Sequence, residues 1–303
     1  MGWKIVISFV FAFFAVLLLV LYWFFPISTT EFQAKFNESP DFIVNKSALQ
    51  FYNNMRFPDS SISYKIVKCP LKKMNDMQDA FRDVSALTLL SFYPVLYDEE
   101  ITVTCDSTER IEDGLFIAGE GGPTNITQSG SFNVISHGKI LLIKESSCSN
   151  PNIGIHELFH VLGFDHIPDS KSIMYPISNC DQEIDNEIID AINELYSIPN
   201  RPDLVFENVS AVMHGKYLGL NFSVRNIGLS SSSQAKVIIS SGNSVIKELD
   251  VDVLPVGHGR IITLTNVWIS KLSVDSIKLQ INYGLSELKK ENNEAILEIK
   301  NKN

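Results

Sequence analysis

The sequence predicts an α+β domain followed by an all-β sandwich domain, both behind a single N-terminal helix long enough to cross a membrane. Three observations carry that prediction. Residues 5–25 form an unbroken, almost wholly apolar run. Between residues 55 and 198 the apolar spacing switches between the periods of strands and helices, with two long helices among short strands, which suits a mixed twisted sheet. From residue 199 onward the spacing settles to two, the period of half-buried strands.

The first four residues read as a short cytoplasmic N-terminus. The run from Ile5 to Phe25 is 21 residues long, is preceded by Lys4 and closes with Tyr22-Trp23-Phe24-Phe25-Pro26. A helix of that length spans about 30 Å, the thickness of bilayer hydrocarbon. The terminal amine and Lys4 are the only positive charges before it. The positive-inside bias therefore places the N-terminus in the cytoplasm and everything after Pro26 outside, as a single-pass protein of the cell membrane. The competing reading is a cleaved signal peptide and a secreted chain. Such peptides have an apolar core of about 7 to 15 residues and a small-residue cleavage site, which is not found here.

Residues 26–54 are polar and weakly patterned, the composition of a stalk, although part of this segment can pack on the 55–198 domain. In that domain, Ser63–Val67 reads as a strand and Leu71–Phe92 as a helix with Met74, Met77, Ala80, Phe81, Val84, Leu87 and Leu90 on its apolar face. Pro94 is expected to stop that helix. Ile101–Thr104 is a second strand, and the βαβ unit so formed requires the two strands to be parallel. Leu115–Gly119 and Lys139–Ile143 are further strand candidates, separated by a long loop rich in Gly, Asn and Ser. Glu183–Tyr196 carries Ile184, Ile188, Ile189, Ile192 and Leu195 at helical spacing and closes the domain.

Within this domain lies the run His156-Glu157-Leu158-Phe159-His160-Val161-Leu162-Gly163-Phe164-Asp165-His166, with Ser172-Ile173-Met174-Tyr175-Pro176 behind it. His156 and His160 stand four apart in a helical segment, so both imidazoles leave one face and can close on a single cation. Glu157 lies roughly 100° round the helix from His156, beside such a cation but not aimed at it, where a general base belongs. Gly163 can take a positive φ where the helix ends, so the chain turns sharply and His166 returns as a third ligand. Three neutral imidazoles leave a fourth tetrahedral position open, which distinguishes a single catalytic Zn2+ from a closed structural site, and no cysteine falls inside the segment. A bare H-E-x-x-H arises by accident in many helices. The full H-E-x-x-H-x-x-G-x-x-H with a methionine turn is the metzincin pattern.

These motifs resemble the matrixin-type metzincin peptidases over roughly Met55 to Ile198. The resemblance implies a metzincin-type α+β catalytic domain in which His156, His160 and His166 bind zinc, Glu157 is the catalytic base and Met174 forms an apolar floor beneath the metal. Phe159 stands where matrixins usually carry glycine. Pro176 stands two places after Met174, so the tyrosine ligand of astacin-like relatives is not expected. No P-R-C-G stretch is found, and latency through a cysteine capping the zinc is not expected either.

Four cysteines suit an oxidising compartment. Cys69 and Cys105 each end a strand of the βαβ unit, while Cys148 precedes the histidine helix and Cys180 follows the methionine turn. The bridges expected are Cys69 to Cys105 and Cys148 to Cys180, one of three connectivities. Zinc binding by these cysteines is disfavoured, since no C-x-x-C pair is present. Sequons at Asn37, Asn45, Asn125, Asn208 and Asn221 are compatible with an exterior location.

Ile198-Pro199-Asn200-Arg201-Pro202 is a stiff connector into the 199–303 domain. Strands are expected at Val209–Met213, Leu218–Val224, Ala235–Ile239, Val245–Val253, Arg260–Thr265, Ile277–Ile281 and Ala295–Ile299, a β-sandwich of about 100 residues. Pro202-Asp203-Leu204, Val224-Arg225-Asn226-Ile227-Gly228 and Glu291-Asn292-Asn293-Glu294-Ala295 resemble the CARDB family of adhesion-related, immunoglobulin-like modules, which implies a non-catalytic accessory domain. His137, His214 and His258 read as exposed histidines, not ligands.

With 45% apolar residues, the 303-residue chain has material for two cores. Its net charge of −10 speaks against nucleic acid as a partner. The partners expected are a protein or peptide substrate, the membrane through the N-terminal helix, and a cell-surface partner for the C-terminal domain. The function so implied is a membrane-anchored, extracytoplasmic zinc endopeptidase. The alternatives are a catalytically inactive surface protein whose sandwich binds a partner or cell-envelope polymer, and a zinc hydrolase acting on another amide.

Overall fold

A computed structural model describes residues 2–24, 29–36, 42, 49–108, 110–112, 115–270 and 274–300. Phe25 and Pro26 at the end of the apolar run, the sequons at Asn37 and Asn45, and much of the expected stalk lie outside the described residues. The chain divides into two compact units. One comprises residues 40–202 with 227–230, and the other comprises residues 1–39, 203–226 and 231–303.

Helix α1 (Gly2–Phe24) is apolar along nearly its whole length, with Lys4 as its one charged residue and Ser8 the polar residue in its first half. Its stretch from Gly2 to Tyr22 is unburied, and is long and apolar enough to cross a membrane by length and composition. Strand β1 (Thr29–Phe36) comes next, inside the segment expected to be a stalk. Its alternation places Phe32 in the core of the second unit. An isolated strand leaves its N–H and C=O groups to water, whereas pairing on both edges satisfies them and buries one face.

The unit around residues 40–202 begins with strands β2 (Met55–Arg56) and β3 (Ser61–Val67), then helix α2 (Leu71–Leu87) and strands β4 (Ser91–Pro94) and β5 (Ile101–Cys105). The helix expected to reach Phe92 ends five residues earlier. There the Thr88 N–H and hydroxyl both donate to the Val84 carbonyl, and the Leu90 N–H bonds the same hydroxyl. Residues from Ser91 pair in parallel with β3 instead, with Pro94 at the end of the strand that edges the sheet, where a missing N–H costs least. As the βαβ reading requires, β3 and β5 are parallel neighbours.

Next come the two-residue strands β6 (Ile111–Glu112) and β7 (Leu115–Phe116), then β8 (Gly119–Ser129) and β9 (Phe132–Leu142). The expected Leu115–Gly119 strand is thus corrected. Among the described residues Leu115–Phe116 pairs with β6 alone, and the long strand begins at Gly119 and runs through the stretch expected to be a loop. Polar, glycine-rich residues can form a strand here because β9 supplies a full antiparallel partner, with the turn made at Gly130, φ +57°. The sheet order is β2-β9-β5-β3-β4, with β8 on the other edge of β9.

Helix α2 lays Met77, Ala80, Phe81 and Val84 on this sheet, and Phe81 stacks on Tyr64 at 4.2 Å. Helices α3 (Asn152–Val161) and α4 (Asn186–Ser197) complete the unit. Arg56 is almost wholly buried, yet among the described residues no carboxylate is hydrogen-bonded to it. Its guanidinium donates to the carbonyls of Phe57, Pro58, Leu195 and Ile198 and lies 4.5 Å from the Tyr196 ring. The cation thereby meets the carbonyl-rich end of α4. Arg56→Leu is expected to destabilise this unit by about 2 kcal/mol through orphaned carbonyls, measured by denaturant unfolding. Bridges join Cys69 to Cys105 and Cys148 to Cys180. On the loop-closure account each constrains the unfolded chain by about 4 kcal/mol.

The second unit adds to β1 the strands β10 (Leu204–His214), β11 (Tyr217–Asn226), β12 (Ala235–Ser241), β13 (Ser244–Val251), β14 (Gly259–Trp268), β15 (Ser276–Asn282) and β16 (Glu294–Ile299). All seven strands read from the period-two spacing are present. The pairing is one continuous antiparallel path, β13-β12-β15-β16-β1-β10-β11-β14, with β1 as an eighth strand between β16 and β10. Phe206, Phe222, Val237, Leu279, Leu297 and Phe32 belong to one apolar cluster, so both halves of the path feed a common core.

Candidate metal centre

Helix α3 carries His156, Glu157 and His160, all buried, and ends at Leu162 and Gly163. Gly163 has φ +95°, and a Cβ there would stand 2.7 Å from the Met55 Cβ, so both the backbone and the space demand glycine. The turn brings exposed His166 back. The Nε2 atoms of His156 and His160 are 3.0 Å apart, and those of His160 and His166 are 3.1 Å apart.

The other ring nitrogens give these contacts their meaning. His156 Nδ1 lies 2.7 Å from the Ile173 carbonyl, and His160 Nδ1 lies 2.8 Å from the Phe164 carbonyl. A carbonyl only accepts, so each Nδ1 carries the hydrogen and each neutral ring turns a bare Nε2 lone pair inward. Burial holds His156 below the usual imidazole range, and burial followed by the neighbouring His156 holds His160 down to about 4, so the rings stay neutral at ordinary pH. Lone pairs facing each other at this distance repel unless a cation stands among them. The donor set fits a tetrahedral divalent metal with nitrogen ligands.

The Met174 backbone N–H bonds the Ser172 hydroxyl, which donates to Asp185 just before α4. Ile173, whose carbonyl orients His156, lies between these anchors, and Met174 itself is wholly buried. Phe159 is also wholly buried in the core, edge-on to Phe164. Three other histidines lie elsewhere. His137 is held between the hydroxyls of Thr102 and Thr124, His214 bonds Thr29, and His258 bonds the Val256 carbonyl.

Burial first, and the charge of Glu120 second, push Glu157 up to about 8. A cation beside it acts in the opposite direction and favours the carboxylate. The helix lies hard against β8. A Cβ at Gly119 would be 2.8 Å from Glu157 Oε1, and one at Gly121 would be 2.3 Å from the Glu157 carbonyl oxygen.

Three parts of this site escape the sequence reading. The Gly119-x-Gly121-Gly122 cluster is a readable signal of close backbone approach. Phe51, whose ring stacks on His160 at 5.7 Å, carries no such signal. It comes from the end of the expected stalk, which here pairs with the turn after α3: the Phe51 N–H bonds the Gly163 carbonyl, and the Asp165 N–H bonds that of Leu49. The Ser172–Asp185 tie is equally unsignalled, being a contact across 13 residues.

The peptidase family model described as Matrixin matches residues 24–197. No curated protein matches the chain. Among solved structures, the chain is similar to the CARDB domain of a Pyrococcus furiosus protein in complex with di-metal ions, with 18% identity over 33% of this chain and 88% of that one, at a TM-score of 0.27.

Proposed function

This chain belongs to the matrixin family of zinc metallopeptidases, and on that premise we propose that it is a membrane-anchored metzincin endopeptidase with its catalytic domain outside the cytoplasm. The observation that carries the catalytic reading is the convergence of three imidazole Nε2 atoms whose hydrogens, at His156 and His160, are committed to backbone carbonyls. His156, His160 and His166 hold the zinc, and Met174 lies in the turn that fixes His156. When bound, zinc supplies a Lewis acid that acidifies a water and polarises a scissile carbonyl.

Glu157 takes the proton from the attacking water and passes it to the departing amine. Its side chain lies against Gly119 and its backbone carbonyl against Gly121 of β8, so the strand approaches it without a side chain intervening. An extended substrate pairs with the edge of β8 turned away from β9, an arrangement that holds any sequence in line by its main chain. Helix α1 supports anchoring by its length and composition, and Lys4 supports a cytoplasmic N-terminus.

The test is to incubate the full chain with a complex peptide mixture, with and without a chelator, and to map new termini by mass spectrometry. Chelator-sensitive internal cleavage is expected. Unchanged peptides in both arms would favour the inactive surface protein.

A further inference from the structure

We propose that Asp203, Glu287, Asn292 and Asn293 form a binding site for a hard divalent cation, calcium by their chemistry, in the C-terminal unit and independent of the histidine centre. Asp203 immediately precedes β10, and the other three lie in the connection from β15 to β16. Strands β10 and β16 both run antiparallel to β1 between them, so they start at the same end of the sheet. All four residues are at least nine-tenths buried, with exposures of 1, 5, 8 and 8%.

Their hydrogen bonds leave a set made almost entirely of acceptors. The Asn292 amide nitrogen donates to Asp203 Oδ1 at 2.8 Å, and that of Asn293 donates to Glu287 Oε2 at 2.6 Å. Glu287 Oε1 also accepts the Leu204 N–H at 2.9 Å. Each asparagine has therefore turned its donor side to a carboxylate. The carbonyl oxygens of both, Asn292 Oδ1 and Asn293 Oδ1, are buried with no hydrogen-bond partner among the described residues.

One orphaned buried carbonyl costs about 1–3 kcal/mol, and two on adjacent residues beside two buried carboxylates call for a compensating positive group. Lys289 and Lys290 lower the two carboxyls and Glu291 raises Asp203, yet burial outweighs them at both. Burial, with Glu287 adding to it, raises Asp203 to about 6, which marks the same unmet demand for positive charge.

Oxygen-only donors without histidine or cysteine select calcium over zinc. Four side chains supply part of the six to eight oxygens that calcium takes, and water or backbone carbonyls supply the remainder. The bound ion would fasten the β15–β16 connection to the start of β10.

The test uses the full chain in detergent, held in zinc-containing, calcium-free buffer and then dialysed to equilibrium against radioactive calcium. The double variant Asp203→Asn with Glu287→Gln is expected to bind one calcium ion fewer per chain than the native protein, so calcium held elsewhere does not confuse the reading. Equal stoichiometry, or a native chain that takes up no calcium at millimolar concentration, would overturn the proposal. If the double variant does not fold, Asn293→Ala replaces it. That variant keeps both carboxylates and is expected to weaken calcium binding at this site at least tenfold, whereas unchanged uptake with only a lowered melting temperature would mean a purely structural hydrogen-bond network.

Discussion

Replacing Glu157 with glutamine is expected to leave the metal content unchanged and to lower peptide hydrolysis by about 10²- to 10⁴-fold. Glutamine has the shape of the carboxylate, so it can occupy the narrow space against Gly119 without displacing β8. It cannot accept the proton of the attacking water, and it holds none to deliver to the leaving amine. The ligand histidines are oriented by the carbonyls of Ile173 and Phe164, which the substitution does not touch. Steady-state cleavage of a fluorogenic peptide, alongside metal analysis of the same preparations, measures both halves of the expectation. A variant retaining most of the native rate would remove Glu157 from the proton path.

The second large effect is expected at Gly121. An alanine Cβ there would stand 2.3 Å from the Glu157 backbone oxygen. The obstruction is backbone, so no rotamer change relieves it, and either β8 or α3 must shift. Overpacking of this kind costs about 3 kcal/mol, and the shift moves the edge of β8 away from the site, so activity falls with stability. The control is the next residue. A Cβ at Gly122 would meet nothing within 4 Å, so Gly122→Ala is expected to be close to native in both respects. Denaturant unfolding and peptidase rates for the two variants, side by side, separate close approach from a general need for glycine in this strand.

How much of the molecule is legible in the sequence depends on how local each signal is. The histidine motif fits within a turn and a half of helix and the bend after it, so its spacing alone encodes which side chains share a face. The alternation of apolar residues in 199–303 likewise locates seven strands, because each buries one face on its own account. Order along the chain does not reveal pairing partners. Strand β1 lies more than 150 residues from β10 and reads as stalk, because a short polar strand carries little pattern until β16 and β10 flank it. The same reason hides β8, whose glycines weaken the strand signal while allowing the contact with Glu157. The end of α2 is obscured because Leu87 and Leu90 continue the helical apolar spacing, while the chain leaves the helix at Thr88, whose hydroxyl bonds the Val84 carbonyl and the Leu90 N–H.

Zinc content tests the central claim most directly. The native chain, purified without chelator and dialysed against metal-free buffer, is expected to retain about one zinc ion per molecule by inductively coupled plasma mass spectrometry. His160→Ala, which removes the ligand between the other two, is expected to retain almost none. Zinc absent from the native chain, or present equally in both proteins, would contradict the account.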